Sequence, residues 1–311
     1  MIEVIVYNDE YKTYWDNFIK TSRIDTFLFY RDFMEYHSYN FEDLSLMIYR
    51  KGILVAILPG NIEGNNFYSH QGLTYGGIVT SLKISARDLI EVFKGINKTL
   101  KEKGISKVFY KPTPHIYHKY PAEEDLYVLF LLNAQKTACN LSSTIYQKSK
   151  IVFNESRKSG VRKAKLNEIK ISQSNNFSDF WVILSENLLD KHGKIPVHSV
   201  KEIQFLKEKF PYNIKFYGAY ILDNLIGGTV LFIMENVVHV QYISASEKGK
   251  ELGALDFIFD FLINIEYTDK KYFDFGHSTE QAGLILNNNL IFQKEGFGGR
   301  GIVYDTFSYN L

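Results

Sequence analysis

The sequence predicts a mixed α+β protein made of two related domains, residues 1–147 and 148–311. Three observations lead there. In the second half, three strand-length runs, Ile214–Leu222, Leu225–Met234 and Val237–Ile243, are separated by the two-residue turns Asp223-Asn224 and Glu235-Asn236, short enough to make antiparallel hairpins. An apolar helix-length stretch, Ala254–Ile265, then leads to a short aromatic run, Tyr272–Phe275. A right-handed crossover sets that last strand parallel to the third of the meander. The first half shows the same coarse order of strands, helix and strand, and the polar run Thr144–Ile151 falls between the two. The repeat is one of element order and not of residues.

Taken in order, Val4–Val6 reads as a strand and Asp9–Ile19 as a helix with Tyr11, Trp15 and Phe18 at helical spacing. Tyr30–His37, carrying Phe33, Met34 and Tyr36, is a second helix. Ser45–Tyr49 and Ile53–Leu58 flank Lys51-Gly52 as a hairpin, and Pro59-Gly60 ends it. Phe67–Val79 contains Gly72, Gly76 and Gly77 and reads as irregular. Ser85 caps a helix to Lys103 with Leu89, Val92, Phe93, Ile96 and Leu100 on one face; Gly104 stops it before the strand Lys107–Tyr110. In the second half Ser178–Leu189 is helical and ends at Gly193, and Ser199 with Glu202 forms a capping box for a helix closed by Pro211. After the meander, Ser244–Gly253 reads as a polar loop. Ile302–Phe307 is the last strand, entered through a glycine-rich bend.

Composition narrows the function classes. A chain of 311 residues fits two domains of about 150 each. Hydrophobic residues at 45% and charged residues at 23% suit a folded globular protein. The net charge of +1 gives no global field for DNA, so any basic patch is local. The lone Cys139 excludes an internal disulfide framework and is expected to be a buried structural thiol. The opening MIEVIVYNDE turns acidic at once, and no apolar run reaches the roughly 20 residues that span a bilayer. A cytoplasmic protein is expected. Gly296–Gly301 matches G-x-G-x-x-G but lacks room for the strand–helix–strand unit that pattern serves. His115 and His118 have no cysteine partner nearby, so no metal site is expected.

Chemistry concentrates in Lys271–Arg300. Gly276 releases the Tyr272–Phe275 strand into His277, Ser278, Thr279 and Glu280, and ligands favour the carboxyl ends of buried strands. A second concentration is the basic stretch Arg157–Lys165. As a helix it sets Lys158, Arg162 and Lys165 on one face, either a phosphate clamp or a solvated outer face.

The meander, loop, helix and parallel strand together resemble the acyl-CoA N-acyltransferase (GNAT) fold, and two such units in one chain resemble the Fem family of peptidoglycan aminoacyl transferases. The resemblance is carried by Arg157–Ala164, by Gln241-Tyr242-Ile243-Ser244-Ala245, and by Asp274-Phe275-Gly276 with Gly283 and Asn287. It implies a splay between the third and fourth strands that receives an acyl donor, acyl-CoA (acetyl-CoA) or aminoacyl-tRNA, without a metal. The donor would meet Ile243, Ser244, Lys248, Gly249, Lys250, Gly253 and Ala254, where backbone N–H groups favour a pyrophosphate. The glycines and lysines of Glu247–Ala254 depart from the spacing of the usual phosphate-binding signature, which keeps a carrier other than CoA open. Acyl transfer to an amine also needs a base; Glu280, His277 and His192 are the candidates. Arg157, Arg162, Lys163, Gln241, Tyr242, Asn287 and Lys294 are expected to meet the acceptor. The implied function is an N-acyltransferase acting on an amino group of a sugar or cell-envelope precursor. The alternatives are a Fem-type aminoacyl-tRNA-dependent transferase, against which the lack of a heptad-patterned arm counts, and a non-catalytic binding module.

Overall fold

Tight turns set the topology of the computed structural model, which describes residues 2–24 and 26–311, with the backbone alone at Lys191 and His192. The chain divides into two compact units: Met1–Leu141 with Thr279–Ile285 and Val303–Leu311, and Ser142–Ser278 with Leu286–Ile302. The units are therefore not the contiguous halves expected from the order of elements. The reason is a pairing that periodicity does not encode: the last strand bonds back to the first unit.

In the first unit, β1 (Ile2–Val6) precedes helices α1 (Lys12–Thr21) and α2 (Arg31–Glu35). Strands β2 (Glu42–Asp43), β3 (Leu46–Arg50), β4 (Ile53–Leu58), β5 (Asn61–Glu63), β6 (Asn66–Tyr68) and β7 (Val79–Thr80) follow. Then come α3 (Ala86–Glu102), β8 (Lys107–Tyr110) and α4 (Glu124–Leu131). β3 and β4 form the expected hairpin around Lys51-Gly52, and their sheet runs β1-β3-β4-β7. Ser85 and Asp88 make a reciprocal capping box on α3, whose apolar face (Leu89, Val92, Phe93, Ile96, Leu100) is buried in the core of this unit. A second set of strands, β2, β5, β6 and β8, ends on the C-terminal strand, where Phe307 pairs with Tyr110 and Asn310 with Lys107.

The second unit takes the end of β9 (Gln135–Tyr146), then α5 (Glu155–Leu166), β10 (Lys170–Ser174), α6 (Phe177–His192) and α7 (Val200–Lys209). The meander β11 (Ile214–Ile221), β12 (Asn224–Ile233) and β13 (Val237–Ala245) is antiparallel as predicted. It is followed by α8 (Glu247–Leu252), α9 (Ala254–Phe261), β14 (Tyr272–His277), α10 (Asn288–Gly296) and β15 (Arg300–Asn310). β14 lies parallel to β13 and antiparallel to the end of β9. Neighbouring residues of a strand face opposite sides, so Tyr217 joins the core under α9 whereas Phe216 stacks on Phe177 and Phe180 of α6. This sandwich of helices and sheet is what positions the site.

Three expectations are corrected. The polar run placed between the domains opens inside a strand: Ser142, Ser143 and Thr144 are buried residues of β9. Ser244–Gly253 is not a loop: Ser244 and Ala245 complete β13, and Ser246 caps α8 through the N–H of Gly249. Cys139 is exposed. Among the described residues no helix is long and apolar enough to cross a membrane.

α5 and α9 touch through glycine. A Cβ on Gly160 would lie 1.8 Å from Oδ2 of Asp256, and one on Gly253 2.4 Å from the carbonyl oxygen of Gly160. Asp256 cannot yield freely, since its other oxygen holds Arg157 at 2.7 Å. Gly160→Ala is therefore expected to destabilise the protein by about 1–3 kcal/mol through overpacking, despite the better helix propensity of alanine. Urea unfolding at neutral pH measures it.

Candidate functional site

Strand alternation alone brings the central residues together. β13 reads Val-Val-His-Val and β14 reads Tyr-Phe-Asp-Phe. Val238, Val240, Phe273 and Phe275 belong to the core under α9, so His239 and Asp274 share the other face. They are directly paired across the parallel ladder, and they are its last registered pair. Beyond them β13 runs on to Ala245 while β14 turns away at Gly276, whose φ of 73° suits glycine. On its other edge β13 carries a bulge: Val230 opposes Tyr242 and Leu231 opposes Val240, leaving Gln241 outside the ladder. The extra residue shifts the alternation, so Tyr242 faces α6, meeting Trp181 edge to face and hydrogen-bonding His198.

Asp274 has no solvent exposure. Its Oδ1 accepts hydroxyl hydrogen bonds from Ser142 at 2.5 Å and Thr144 at 2.6 Å, and its Oδ2 lies 2.7 Å from Nδ1 of His239. Burial alone would raise this carboxyl, but the bond and charge of His239 and the two hydroxyls outweigh it and hold the pKa at about 2. Nearby, the ammonium of Lys294 donates to the carbonyls of Gly276 and His277 at 2.8 and 2.9 Å. Burial pulls Lys294 down to about 8, with Asp274 opposing the shift.

A cavity of about 340 Å³ lies at the far end of β13. Ile243, Ser244 and Ala245 meet Leu184, Asn187 and Leu188 of α6, Leu255 of α9, and Leu290 and Gln293 of α10, with Lys250 at its edge. Asn187 organises the polar side, donating to Ser244 Oγ and the carbonyl of Ala245 at 3.0 Å and accepting from Lys250 at 2.6 Å.

The residues expected from the sequence are thus only partly gathered. Ile243, Ser244 and Lys250 share the cavity. Lys248 is exposed, Gly249 is buried against the carbonyl of Ile226, Gly253 ends α8 in the left-handed region, and Ala254 is buried in the core. Asn287 caps α10 by accepting from the N–H of Leu290. His277 is exposed at the end of β14, and Glu280 is exposed in the first unit. His192 ends α6, but its side chain lies outside the described residues. On α5, Arg157 turns inward to Asp256, Arg162 pairs with Glu155, Lys165 approaches Asp260, and Lys163 is exposed. Acids so balance three of the cations in that helix. Sequence reasoning missed His239, Ser142, Thr144 and Asn187. None carried a local signal: a histidine among valines reads as core, and the others are defined by partners far along the chain.

No protein-family profile matches this chain, and no curated protein does. Solved structures do. FemX matches with a TM-score of 0.70 at 10% identity, over 99% of this chain and 97% of its own. The C-terminal domain of a candidate lysylphosphatidylglycerol synthetase from Agrobacterium fabrum matches with a TM-score of 0.64 at 9% identity, over 97% of this chain and 92% of that one. L-PGS from Bacillus licheniformis gives 0.63 at 10% identity, over 98% and 92%. The chain has the FemAB-like tandem GNAT fold.

Removing the central carboxylate tests the cluster. Asp274→Ala is expected to cost about 3–5 kcal/mol at neutral pH, because it removes the buried acceptor of Ser142, Thr144 and His239. The depressed carboxyl contributes stability above the ordinary aspartate pKa of 3.8 and loses it as the pH falls toward 2. The wild type should therefore lose about 2 kcal/mol from this group over that acid range, and the variant should not. Urea unfolding at a series of pH values measures both.

Proposed function

We propose that the protein is an N-acyltransferase whose acyl donor enters the cavity at the end of β13 and presents its reactive carbonyl where β13 and β14 part. One observation carries this reading. In a chain with an acyltransferase fold, the parallel ladder stops at His239 and Asp274, and a cavity with an apolar wall opens farther along the same strand. Parted strands expose backbone donors that hydrogen bonds within a closed sheet would consume, and such donors can hold the oxyanion of a tetrahedral intermediate. The bulge at Gln241, on the β12 edge of the same strand, also leaves backbone groups outside the ladder. The leucines and Ile243 suit an acyl or pantetheine arm, and Asn187, Ser244 and Lys250 suit its amide or phosphate groups.

We assign the acceptor side to Gln241, His277 and Asn287, and the acceptor to an amino group on a sugar or cell-envelope precursor. Acyl-CoA is the first donor to test. An aminoacyl donor is the second, favoured by the similarity to a candidate lysylphosphatidylglycerol synthetase, whose named product carries a lysyl group. The pairing of Arg157, Arg162 and Lys165 with acids weighs against α5 as an RNA clamp.

Thermal unfolding with acetyl-CoA, longer acyl-CoAs and aminoacyl-tRNA tests the proposal. A donor at 100 times its dissociation constant should add about 2.7 kcal/mol and raise the midpoint by several degrees. Leu290→Trp should fill the cavity and abolish the shift. A midpoint unmoved by every donor, or an undiminished shift in the variant, refutes the assignment.

A further inference from the structure

Two neighbouring turns of the first unit carry the same combination of side chains. The hairpin of β3 and β4 turns at Lys51-Gly52 and is followed at once by Ile53, which is 68% exposed. After β7 the chain turns again through Leu82 and Lys83, and Leu82 is 52% exposed. The turns lie side by side, because the N–H of Ser81 donates to the carbonyl of Val55 at 2.9 Å. A single exposed aliphatic side chain needs no explanation. Here two line one cavity, each close in sequence to an exposed lysine.

That cavity holds about 500 Å³, more than the one at the end of β13. It exists because β7 is short: Ala56 and Ile57 of β4 pair with Thr80 and Val79, whereas Ile53 and Leu54 run on past them. Ile53, Leu54, Val55, Leu82 and Ile84 supply an apolar wall, and Arg50, Lys51, Lys83 and Asp88 supply the charges. Asp88 is already committed, since it holds Arg50 at 2.7 Å and closes the capping box of α3 with Ser85. Three cations against one acid leave the lining with a net charge of +2, which belongs in effect to Lys51 and Lys83.

We infer that this face docks on an anionic lipid bilayer, with Ile53 and Leu82 entering the boundary between headgroups and acyl chains and Lys51 and Lys83 meeting lipid phosphates. Apolar side chains at that boundary and cations among anionic headgroups add their contributions. Lysine suits the position, because its stem lies along apolar groups while its ammonium stays wet. The composition favours a bilayer over a protein partner. Protein interfaces are enriched in aromatic residues and arginine and depleted of lysine. No aromatic residue occurs among the described lining residues, and the one arginine there is held by Asp88. The inference does not rest on the acyltransferase reading, since none of these four side chains lines the cavity at the end of β13.

Flotation of the full chain with vesicles tests this, using phosphatidylcholine alone and phosphatidylcholine with about one-third phosphatidylglycerol. The anionic vesicles should hold the protein at least about tenfold more strongly than the neutral ones, and about 0.5 M salt should remove most of that difference. Lys51→Glu with Lys83→Glu, and Ile53→Ser with Leu82→Ser, should each weaken binding about tenfold or more. All four side chains are exposed, so both variants should melt within a few degrees of wild type. Leu82→Trp puts a reporter on the face, where the native Trp15 and Trp181 are buried. Its emission should move to the blue on anionic vesicles and be quenched by brominated acyl chains; an unmoved emission overturns the inference. So does equal retention on the two vesicle types, no retention on either, or retention unchanged in both double variants. If monomeric dihexanoyl phosphatidylglycerol competes the protein off the vesicles, the cavity takes a single lipid molecule and docking on a bilayer is overturned. Should the serine variant fail to fold, the lysine variant and Leu82→Trp decide the matter.

Discussion

A fully buried carboxylate is the constraint on which the second unit turns. Asp274 must be matched on both oxygens, since an unmatched charge in a dry interior costs several kcal/mol. Ser142 and Thr144 do so from β9, and His239 does so from β13. The three donors sit on the two strands that flank β14, so the carboxylate fixes how those strands register as well as how they are charged. The parallel ladder holds up to this pair and is released immediately after it. Lys294 secures the released segment by holding the carbonyls of Gly276 and His277. The opening is therefore built, with a polar anchor on one side and a buried ammonium on the other.

Much of the fold is legible in the sequence because it rests on local signals. The hairpin turns at Lys51-Gly52, Asp223-Asn224 and Glu235-Asn236, the capping boxes at Ser85 and Ser199, and the apolar face of α3 are each written within a few residues. What was illegible depends on partners far away in the chain. Thr144 opened the polar run set between the two expected domains because nothing near it announces the carboxylate 130 residues later. Asn287 was named only for the acceptor, although it is the cap of α10. Ser244 to Gly253 looked like a loop because glycines and lysines masked the cap supplied by Ser246.

The candidate site shows the same division. Ile243, Ser244 and Lys250, expected at the donor from the resemblance, line one cavity. Arg157 was expected at the acceptor for its charge; it bonds Asp256 where the Gly160 contact draws α5 onto α9. His239 escaped notice for the opposite reason: one histidine among valines looks like core, and only its pairing with Asp274 distinguishes it. Charge is a guide to surfaces, whereas Asp274 and Lys294 keep theirs buried.

The return of residues 303–311 to the first unit carries a temporal consequence. A ribosome releases the chain from its amino end, and domains ordinarily fold as they emerge. Here β8 waits for Phe307 to Asn310, which are synthesised after every residue of the second unit. The first unit to leave the exit tunnel is thus the last whose sheet can close. Until then the backbone groups of β8 that face β15 stand open as an unpaired edge, the kind of surface that nascent chains and chaperones compete to cover.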